Sequence, residues 1–263
     1  MSWVEALLLG IVQGLTEFLP VSSSGHLEIA GVLLGIEASE NLLLAVLLHA
    51  ATALSTVVVF RKEILTILTG LLQFQWNDEL KFSLKILISM VPVGVIGILF
   101  EDEIASFFSG NLLLVGSALI FTSALLFLSH KKRFQDKNVS FIHAIVIGLA
   151  QAVAIIPGIS RSGATIATAL LLGVEKSKAT RFSFLMVLIP ILGAGALKLK
   201  DYLEGVETTA ISGMTLFVGF LSAFISGYLA CVWMLNIVRK GKLSWFAAYC
   251  MVVGLIAIMS QIF

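Results

Sequence analysis

The chain has 263 residues, of which 59% are hydrophobic and 13% are charged, and its mean hydropathy is +1.04. A soluble domain of this length has too little interior to hide that much apolar surface, so the composition excludes the soluble classes and indicates an all-α integral membrane protein. The net charge of +1 says nothing about nucleic acid, but the Lys and Arg residues lie in short loops and not in a stripe, so we expect no nucleic acid as a partner.

The first apolar stretch, residues 6–16, is too short to cross a bilayer, because a crossing helix needs about 20 residues. It ends at Glu17 and runs into a cluster of Pro, Ser and Gly at 19–25. Non-helical backbone is stable at membrane depth only where it is buried in protein or lines a wet cavity. The pattern therefore predicts a re-entrant helical hairpin with its break at this cluster.

Longer apolar stretches follow the hairpin and predict transmembrane helices at about 41–60, 81–100 and 111–130. A second Pro/Gly/Ser cluster at 157–163 breaks the apolar run 138–160 near its end. Further predicted spans lie at about 182–198, 212–236 and 243–262.

The two halves are related by an internal repeat, because an ungapped offset of 138 residues aligns 5–40 with 143–178. The polar identities are the most informative ones: Gln13/Gln151, Ser22/Ser160, Ser24/Ser162, Glu37/Glu175 and Ser39/Ser177. We interpret the chain as a single membrane domain, 1–263, built of two repeats at about 1–132 and 138–263. Each repeat contains a re-entrant helical hairpin and three transmembrane helices.

An odd number of spans per repeat predicts an inverted topology, since the second repeat must then begin on the opposite face of the membrane. Loop charge is an independent indication. With this topology 14 of the 17 basic residues lie on one face, which the positive-inside rule assigns to the cytoplasm. The other face carries Lys198 and Lys200 beside the acidic cluster 101–103, and Arg161 belongs to the second hairpin. Two broken hairpins, one per repeat, predict a central site between them.

The candidate site residues are polar and ionisable side chains whose burial in the membrane costs free energy. Glu17 and Arg161 fall in or near the hydrocarbon region, where an ionisable side chain is a functional hypothesis by default. Gln13 and Glu17 are four residues apart and share one helix face. The repeats have diverged here, since Arg161 corresponds to Ser23, and Glu17 corresponds to an isoleucine.

These residue types suit phosphate chemistry. A guanidinium at Arg161 can hold two phosphate oxygens, and a Gly/Ser loop can point N–H groups at an anion. Glu17 can bind a divalent cation or accept a proton, and a serine hydroxyl or His26 can act as the nucleophile. The predicted phosphate-binding residues are Ser22, Ser24, Gly158, Ser160, Ser162 and Gly163.

Each residue also has a structural interpretation, which stays open at this point. Glu17 and Arg161 can form a structural ion pair, and the serines can cap a helix that begins near Gly25. His26 can be an interior histidine with its hydrogen bonds satisfied. We expect His49 to be structural or interfacial.

Residues 13–27, QGLTEFLPVSSSGHL, resemble the first signature of the bacterial undecaprenyl-diphosphate phosphatase family, also called the bacitracin-resistance protein family. Residues 157–165, PGISRSGAT, resemble its second signature, and the likeness extends over nearly the whole chain. The resemblance implies a phosphatase that converts undecaprenyl diphosphate to the monophosphate and recycles this carrier for cell-wall synthesis. It also implies inverted repeats and a bacterial inner-membrane location.

The resemblance places five positions of this chain in the active site: Glu17, Ser22, Ser23, His26 and Arg161. We predict Glu17, Ser23, His26 and Arg161 as catalytic residues. It further implies a divalent cation, magnesium or calcium, for which Glu17 and Gln13 are the predicted ligands. The family has an acidic residue at the position of Gln13, and a neutral amide supplies no charge and no base.

The partners expected from this resemblance are a polyprenyl diphosphate lipid and the surrounding membrane lipid, and a homodimer stays open as the assembly. The alternative function is a transporter or flippase of polyprenyl phosphate lipids, because inverted repeats with broken helices also build secondary transporters. The cluster of nucleophile, acid and arginine favours the enzyme.

Overall fold

The computed structural model describes residues 1–36, 42–108, 110–131, 136–203 and 211–261. Within these ranges the chain is helical, apart from loops and an isolated parallel bridge between Lys137 and Val174. The helices are α1 (Trp3–Phe18), α2 (Ser23–Leu34), α3 (Leu42–Val59), α4 (Arg61–Leu71), α5 (Asp78–Leu99), α6 (Glu101–Phe107), α7 (Leu112–Lys131), α8 (Phe141–Val153), α9 (Arg161–Leu171), α10 (Lys176–Met186), α11 (Leu188–Leu203), α12 (Gly213–Arg239) and α13 (Ser244–Met259).

Both predicted breaks are present. Helix α1 ends at Phe18 and α2 begins at Ser23, while α8 ends at Val153 and α9 begins at Arg161. The run 138–160 is long enough to span a bilayer, yet α8 has only 13 residues and is too short to do so. The break in the second half therefore lies where the repeat predicts it.

Three of the described helices are long and apolar enough to cross a membrane, namely α5, α7 and α12. Helices α3 and α4 pass the same test as a pair, bent by 77° at Phe60. Helix α13 covers the last predicted span but has 16 residues. The predicted spans at 41–60, 81–100, 111–130 and 212–236 thus coincide with apolar helices.

The predicted span at 182–198 is not one continuous helix. Helix α10 ends at Met186 and α11 begins at Leu188. Pro190 lies in the first turn of α11, where its missing N–H leaves the carbonyl of Met186 without the usual helical donor. Helix α4 was also not predicted, although Ile64, Ile67 and Leu71 recur at helical spacing.

The helices of the two halves pack through small residues. A Cβ placed on Gly10 of α1 would lie 1.9 Å from Oγ of Ser222 in α12, and one placed on Gly148 of α8 would lie 2.3 Å from the carbonyl oxygen of Ser89 in α5. Such approaches are typical of helix pairs in membranes, where small residues let two backbones come close. Gly10 and Gly148 are repeat equivalents, and each packs on a long helix of the other half.

Helices α7 and α13 contact each other reciprocally. A Cβ on Gly116 would lie 2.7 Å from the carbonyl oxygen of Gly254, and a Cβ on Gly254 would lie 2.7 Å from the carbonyl oxygen of Gly116. These two glycines are 138 positions apart, which is the offset of the sequence repeat. Equivalent residues of the two halves therefore meet where α7 packs against α13.

Candidate active site

The two breaks are hydrogen-bonded to each other. Oγ of Ser22 accepts hydrogen bonds from the N–H of Gly25 and from the N–H of Gly158, each at 3.2 Å. In the other direction, the hydroxyl of Ser162 donates to the carbonyl oxygen of Leu19 at 3.2 Å. Ser22 takes a positive φ of 71°, which is uncommon for a residue with a side chain. This backbone conformation accompanies its contacts to both halves.

The serines of the breaks cap the helices that follow. Oγ of Ser160 accepts from the N–H of Gly163 at 3.0 Å, as Oγ of Ser22 does from Gly25. In each break the cap serine lies 3.3 Å from the serine two positions later, Ser24 or Ser162. Most of the predicted phosphate-binding set thus forms hydrogen bonds within and between the breaks. Its role in binding phosphate stays a prediction.

Glu17 lies at the centre of the site and is buried. Its Oε2 accepts hydrogen bonds from Nε2 of Gln13 at 2.9 Å and from the hydroxyl of Ser23 at 2.7 Å. Its Oε1 accepts from a guanidinium N–H of Arg161 across the two breaks. The predicted shared face of Gln13 and Glu17 is confirmed. A carboxylate that holds a serine hydroxyl is the arrangement of a base beside its nucleophile.

Arg161 connects this carboxylate to a large cavity. It is the first residue of α9, and its side chain is 17% exposed. It lines a cavity of about 690 Å³ whose walls are mainly apolar and come from α1, α2, α3, α5, α8 and α11. The polar side chains on the cavity wall are those of Glu28, His49, Gln151 and Arg161. An apolar cavity with a few convergent polar groups is the usual form of a small-molecule site.

His26 contacts neither Glu17 nor Arg161 through a described hydrogen bond. Its Nδ1 lies 2.8 Å from the carbonyl oxygen of Ser22, so Nδ1 carries the proton that donates to it. Its Nε2 lies 2.8 Å from the hydroxyl of Tyr249, whose ring is stacked on the imidazole at 5.6 Å between centroids. In the neutral ring Nε2 accepts from Tyr249. His26 thus lies in the first turn of α2, just after the first break, and contacts α13 through Tyr249.

His49 belongs to the site, although the sequence analysis assigned it a structural or interfacial position. Its Nε2 lies 3.7 Å from Oε2 of Glu17, and its Nδ1 donates to the carbonyl oxygen of Ala45 at 2.8 Å. The available signal was a lone polar side chain on an apolar helix. The position of Tyr249 beside His26 could not be predicted from the sequence, because aromatic residues are common in apolar helices.

Gln13 is fully buried, and only one of its two polar side-chain atoms has a hydrogen-bond partner among the described residues. Its Nε2 donates to Glu17, but its Oε1 has no hydrogen-bond partner among the described residues. An amide oxygen beside a carboxylate is an acceptable pair of ligands for a hard cation. Across the described residues there is no group of three or more His, Cys, Asp or Glu side chains that could hold a metal.

Comparison with known proteins finds similarity along nearly the whole chain. A family profile described as Bacitracin resistance protein BacA matches residues 6–256. A protein of Christiangramia forsetii named undecaprenyl-diphosphatase is 53% identical over 258 residues, which cover 97% of each chain. Proteins of the same name from Bacteroides thetaiotaomicron and Carboxydothermus hydrogenoformans are 51% and 41% identical, over 100% and 99% of this chain and 100% and 98% of their own.

Proposed function

The chain belongs to the family of bacitracin resistance proteins BacA, and from this premise we propose that it hydrolyses undecaprenyl diphosphate to undecaprenyl phosphate and inorganic phosphate. It is an integral membrane phosphatase that acts on a polyprenyl diphosphate lipid. Release of the monophosphate returns the lipid carrier to cell-wall synthesis.

The observation that carries this proposal is the buried contact between Glu17 and Arg161 beside the apolar cavity. A diphosphate lipid has a strongly anionic head and a long apolar chain. The cavity wall is apolar over most of its surface and has a guanidinium on it, so it fits both parts of such a molecule. A planar guanidinium can hold two phosphate oxygens at once.

Glu17 and Ser23 supply the proton chemistry in this proposal. Phosphoryl transfer depends on positioning the nucleophile and stabilising charge on the phosphoryl oxygens. Glu17 accepts the proton of the attacking hydroxyl, which is that of Ser23 or of a water molecule in its place. That oxygen bonds to the terminal phosphorus as the phosphoanhydride bond to undecaprenyl phosphate breaks. Where Ser23 attacks, water then hydrolyses the phosphoserine and releases inorganic phosphate. Arg161 neutralises the developing charge. His26 positions the break through its hydrogen bond with the Ser22 carbonyl.

A divalent cation, magnesium or calcium, fits beside Glu17. The donor set consists of the Glu17 carboxylate, the unpartnered Oε1 of Gln13 and the hydroxyl of Ser23. These are oxygen ligands, and magnesium commonly takes one or two protein ligands and completes its shell with water and substrate phosphates. When bound, the cation supplies positive charge that neutralises the diphosphate.

The repeats are inverted in our proposal, each with one re-entrant hairpin and three crossing segments in the bacterial inner membrane. The reciprocal contact of Gly116 and Gly254 supports a two-fold relation of the halves. The asymmetry of loop charge supports a cytoplasmic position for the basic loops. An impermeant thiol reagent applied to whole cells should label Asp102→Cys and not Lys240→Cys. Since Cys231 and Cys250 are buried, they should add little background.

The transporter alternative is not favoured by the names of the relatives, each of which is called undecaprenyl-diphosphatase. A transporter also has no use for a serine hydroxyl held by a buried carboxylate.

The test is phosphate release from undecaprenyl diphosphate by the purified chain in detergent, with and without magnesium. An Arg161→Ala preparation purified in parallel controls for contaminating phosphatases. We expect release by the wild type that exceeds the variant by at least ~10², the usual effect of one transition-state donor. Equal release by both preparations would reject the proposed activity.

A further inference from the structure

Gln151 is a buried amide without a partner. It lies in α8, its residue is 3% exposed, and neither Nε2 nor Oε1 has a hydrogen-bond partner among the described residues. Flipping the amide, which exchanges Nε2 and Oε1, still leaves both atoms without a hydrogen-bond partner. Buried polar groups in proteins are nearly always paired, and each exception needs an explanation.

The repeat explains how this deficit arises. Gln151 is the equivalent of Gln13, whose Nε2 donates to Oε2 of Glu17 at 2.9 Å. The position four residues after Gln151 is occupied by Ile155, which offers no acceptor on its side chain. The second repeat has therefore kept the amide and lost the carboxylate that satisfied it.

Gln151 is one of the residues that line the 690 Å³ cavity, together with Arg161 and His49. Helix α8 ends two residues after Gln151, and the break that follows leads directly to Arg161. Ala154 and Ile155, next in the chain, line the same cavity. Gln151 is thus a residue of the cavity wall, and its unpaired amide atoms are buried within that wall.

We propose that Gln151 is a headgroup-binding residue whose amide N–H donates to a phosphoryl oxygen of the diphosphate held by Arg161. This inference rests on the proposed function for the identity of the ligand. No described residue accepts a hydrogen bond from this donor, and a phosphoryl oxygen in the cavity supplies the acceptor. An uncharged donor orients the headgroup without adding charge beside Arg161.

The substitutions Gln151→Leu and Gln151→Glu test this assignment. Leucine keeps similar volume and removes the donor, so we expect KM to rise about tenfold or more, the effect of one hydrogen bond to a charged group, with kcat changed less. The rise should be equal for undecaprenyl diphosphate and for farnesyl diphosphate, because the contact is to the shared headgroup. Glutamate should raise KM further, since it places a like charge against the phosphate.

Thermal unfolding separates this role from a structural one. Gln151→Leu removes an unpaired buried amide and should leave the unfolding temperature unchanged or higher, whereas the matched control Gln13→Leu removes a hydrogen bond to Glu17 and should lower it. A lower unfolding temperature for Gln151→Leu with unchanged KM would overturn the assignment. So would a KM change confined to the long-chain substrate.

The affinity for inorganic pyrophosphate can be measured by calorimetry on wild type and Gln151→Leu. This measurement tests the headgroup contact independently of the proposed phosphatase activity. Weaker pyrophosphate binding by the variant supports the headgroup contact even if the wild type releases no phosphate from either lipid. Equal pyrophosphate affinity would reject the contact even if the wild type is an active phosphatase.

Discussion

The break at 19–25 and the break at 157–163 begin their following helices in the same way. In each, a serine hydroxyl caps the helix by accepting a hydrogen bond from the N–H of the glycine three positions on, and the hydroxyl of the serine two positions on lies 3.3 Å from it. Gly25 and Gly163 also have similar positions, because each lies close to a residue of the other break. A Cβ on Gly25 would lie 2.9 Å from Cα of Gly158, and a Cβ on Gly163 would lie 3.3 Å from Cβ of Pro20, which is the repeat equivalent of Gly158.

The two halves differ at positions within and just before these breaks. The first half has Glu17 and Ser23 where the second has Ile155 and Arg161, and three of these four side chains join in one hydrogen-bonded group. The residues that the repeats share thus hold the backbone, while the residues in which they diverged meet in the site. The result is one asymmetric site, with acid and hydroxyl from the first half and guanidinium from the second.

The largest expected effect comes from removing the diverged pair. Arg161→Gln should abolish turnover and also destabilise the fold, since a buried carboxylate that loses its partner costs about 3–5 kcal/mol. The double substitution Glu17→Gln with Arg161→Gln should restore much of the stability but none of the activity. Phosphate release and thermal unfolding of the two single variants and the double variant provide the measurement.

The matched control for this series is Arg181→Gln, since Arg181 lies 5.0 Å over the ring of Phe82 and away from the breaks. It should keep its turnover. Recovery of activity in the double variant would show that Glu17 and Arg161 are only a structural pair.

Substitutions at Gly158 and Pro20, which hold the backbone of the two breaks, should change the free energy of unfolding. Gly158 has a φ of +97°, and a Cβ there would lie 2.4 Å from the carbonyl oxygen of Val115. Gly158→Ala therefore combines backbone strain with a clash against main chain, and we expect a loss of at least about 2 kcal/mol in the free energy of unfolding. The equivalent substitution Pro20→Ala creates neither problem and should cost less. Unfolding in detergent compares them, and equal losses would contradict the distinction.

Much of this arrangement could be predicted from the sequence. The offset of 138 residues located both breaks, and the placement of Glu17 and Arg161 in apolar surroundings identified the two charges that meet. The break at Val187 was not predicted, because composition over 182–198 is apolar on both sides of it. Helix α4 was missed because its charged residues hid the helical spacing of its apolar ones.

Side-chain partners across the molecule were beyond sequence reasoning. His26 directly follows the Ser/Gly cluster, whereas His49 is a lone polar residue on an apolar helix. Only the packing of α3 against α1 brings His49 and not His26 beside Glu17. The serines matched two interpretations equally well, and the hydrogen bonds from Gly25 and Gly163 support capping. Sequence spacing places residues on a helix face but does not show which distant element covers that face.

A smaller difference is expected between the two cap serines. Ser160→Ala leaves one N–H, that of Gly163, without its acceptor, and the loss of such a cap costs about 1 kcal/mol. Ser22→Ala leaves two, those of Gly25 and Gly158, so it should cost about twice as much. For a chain of this length each kcal/mol lowers the unfolding temperature by roughly 2–4 °C. A smaller loss for Ser22→Ala would show that the contact between the breaks contributes little.

The smallest expected effect lies at Glu175, which directly precedes α10 and whose repeat equivalent Glu37 lies outside the described residues. The hydroxyl of Ser177 donates to Oε1 of Glu175, and Lys178 contacts Oε2 at 3.1 Å. These contacts hold the pKa of Glu175 below its ordinary value, the serine hydrogen bond being the larger cause.

A carboxyl with a lowered pKa stabilises the fold above its unfolded pKa of about 4.3, and this contribution is lost as pH falls through the lower folded value. Glu175→Gln should therefore unfold at a slightly lower temperature than wild type at pH 7, and the difference should shrink as pH is lowered below about 4. It should also shrink in high salt, because the contact with Lys178 is partly exposed and screened. Unfolding temperatures of both proteins across this pH range test the sign, and a difference that grows toward low pH would contradict the assignment.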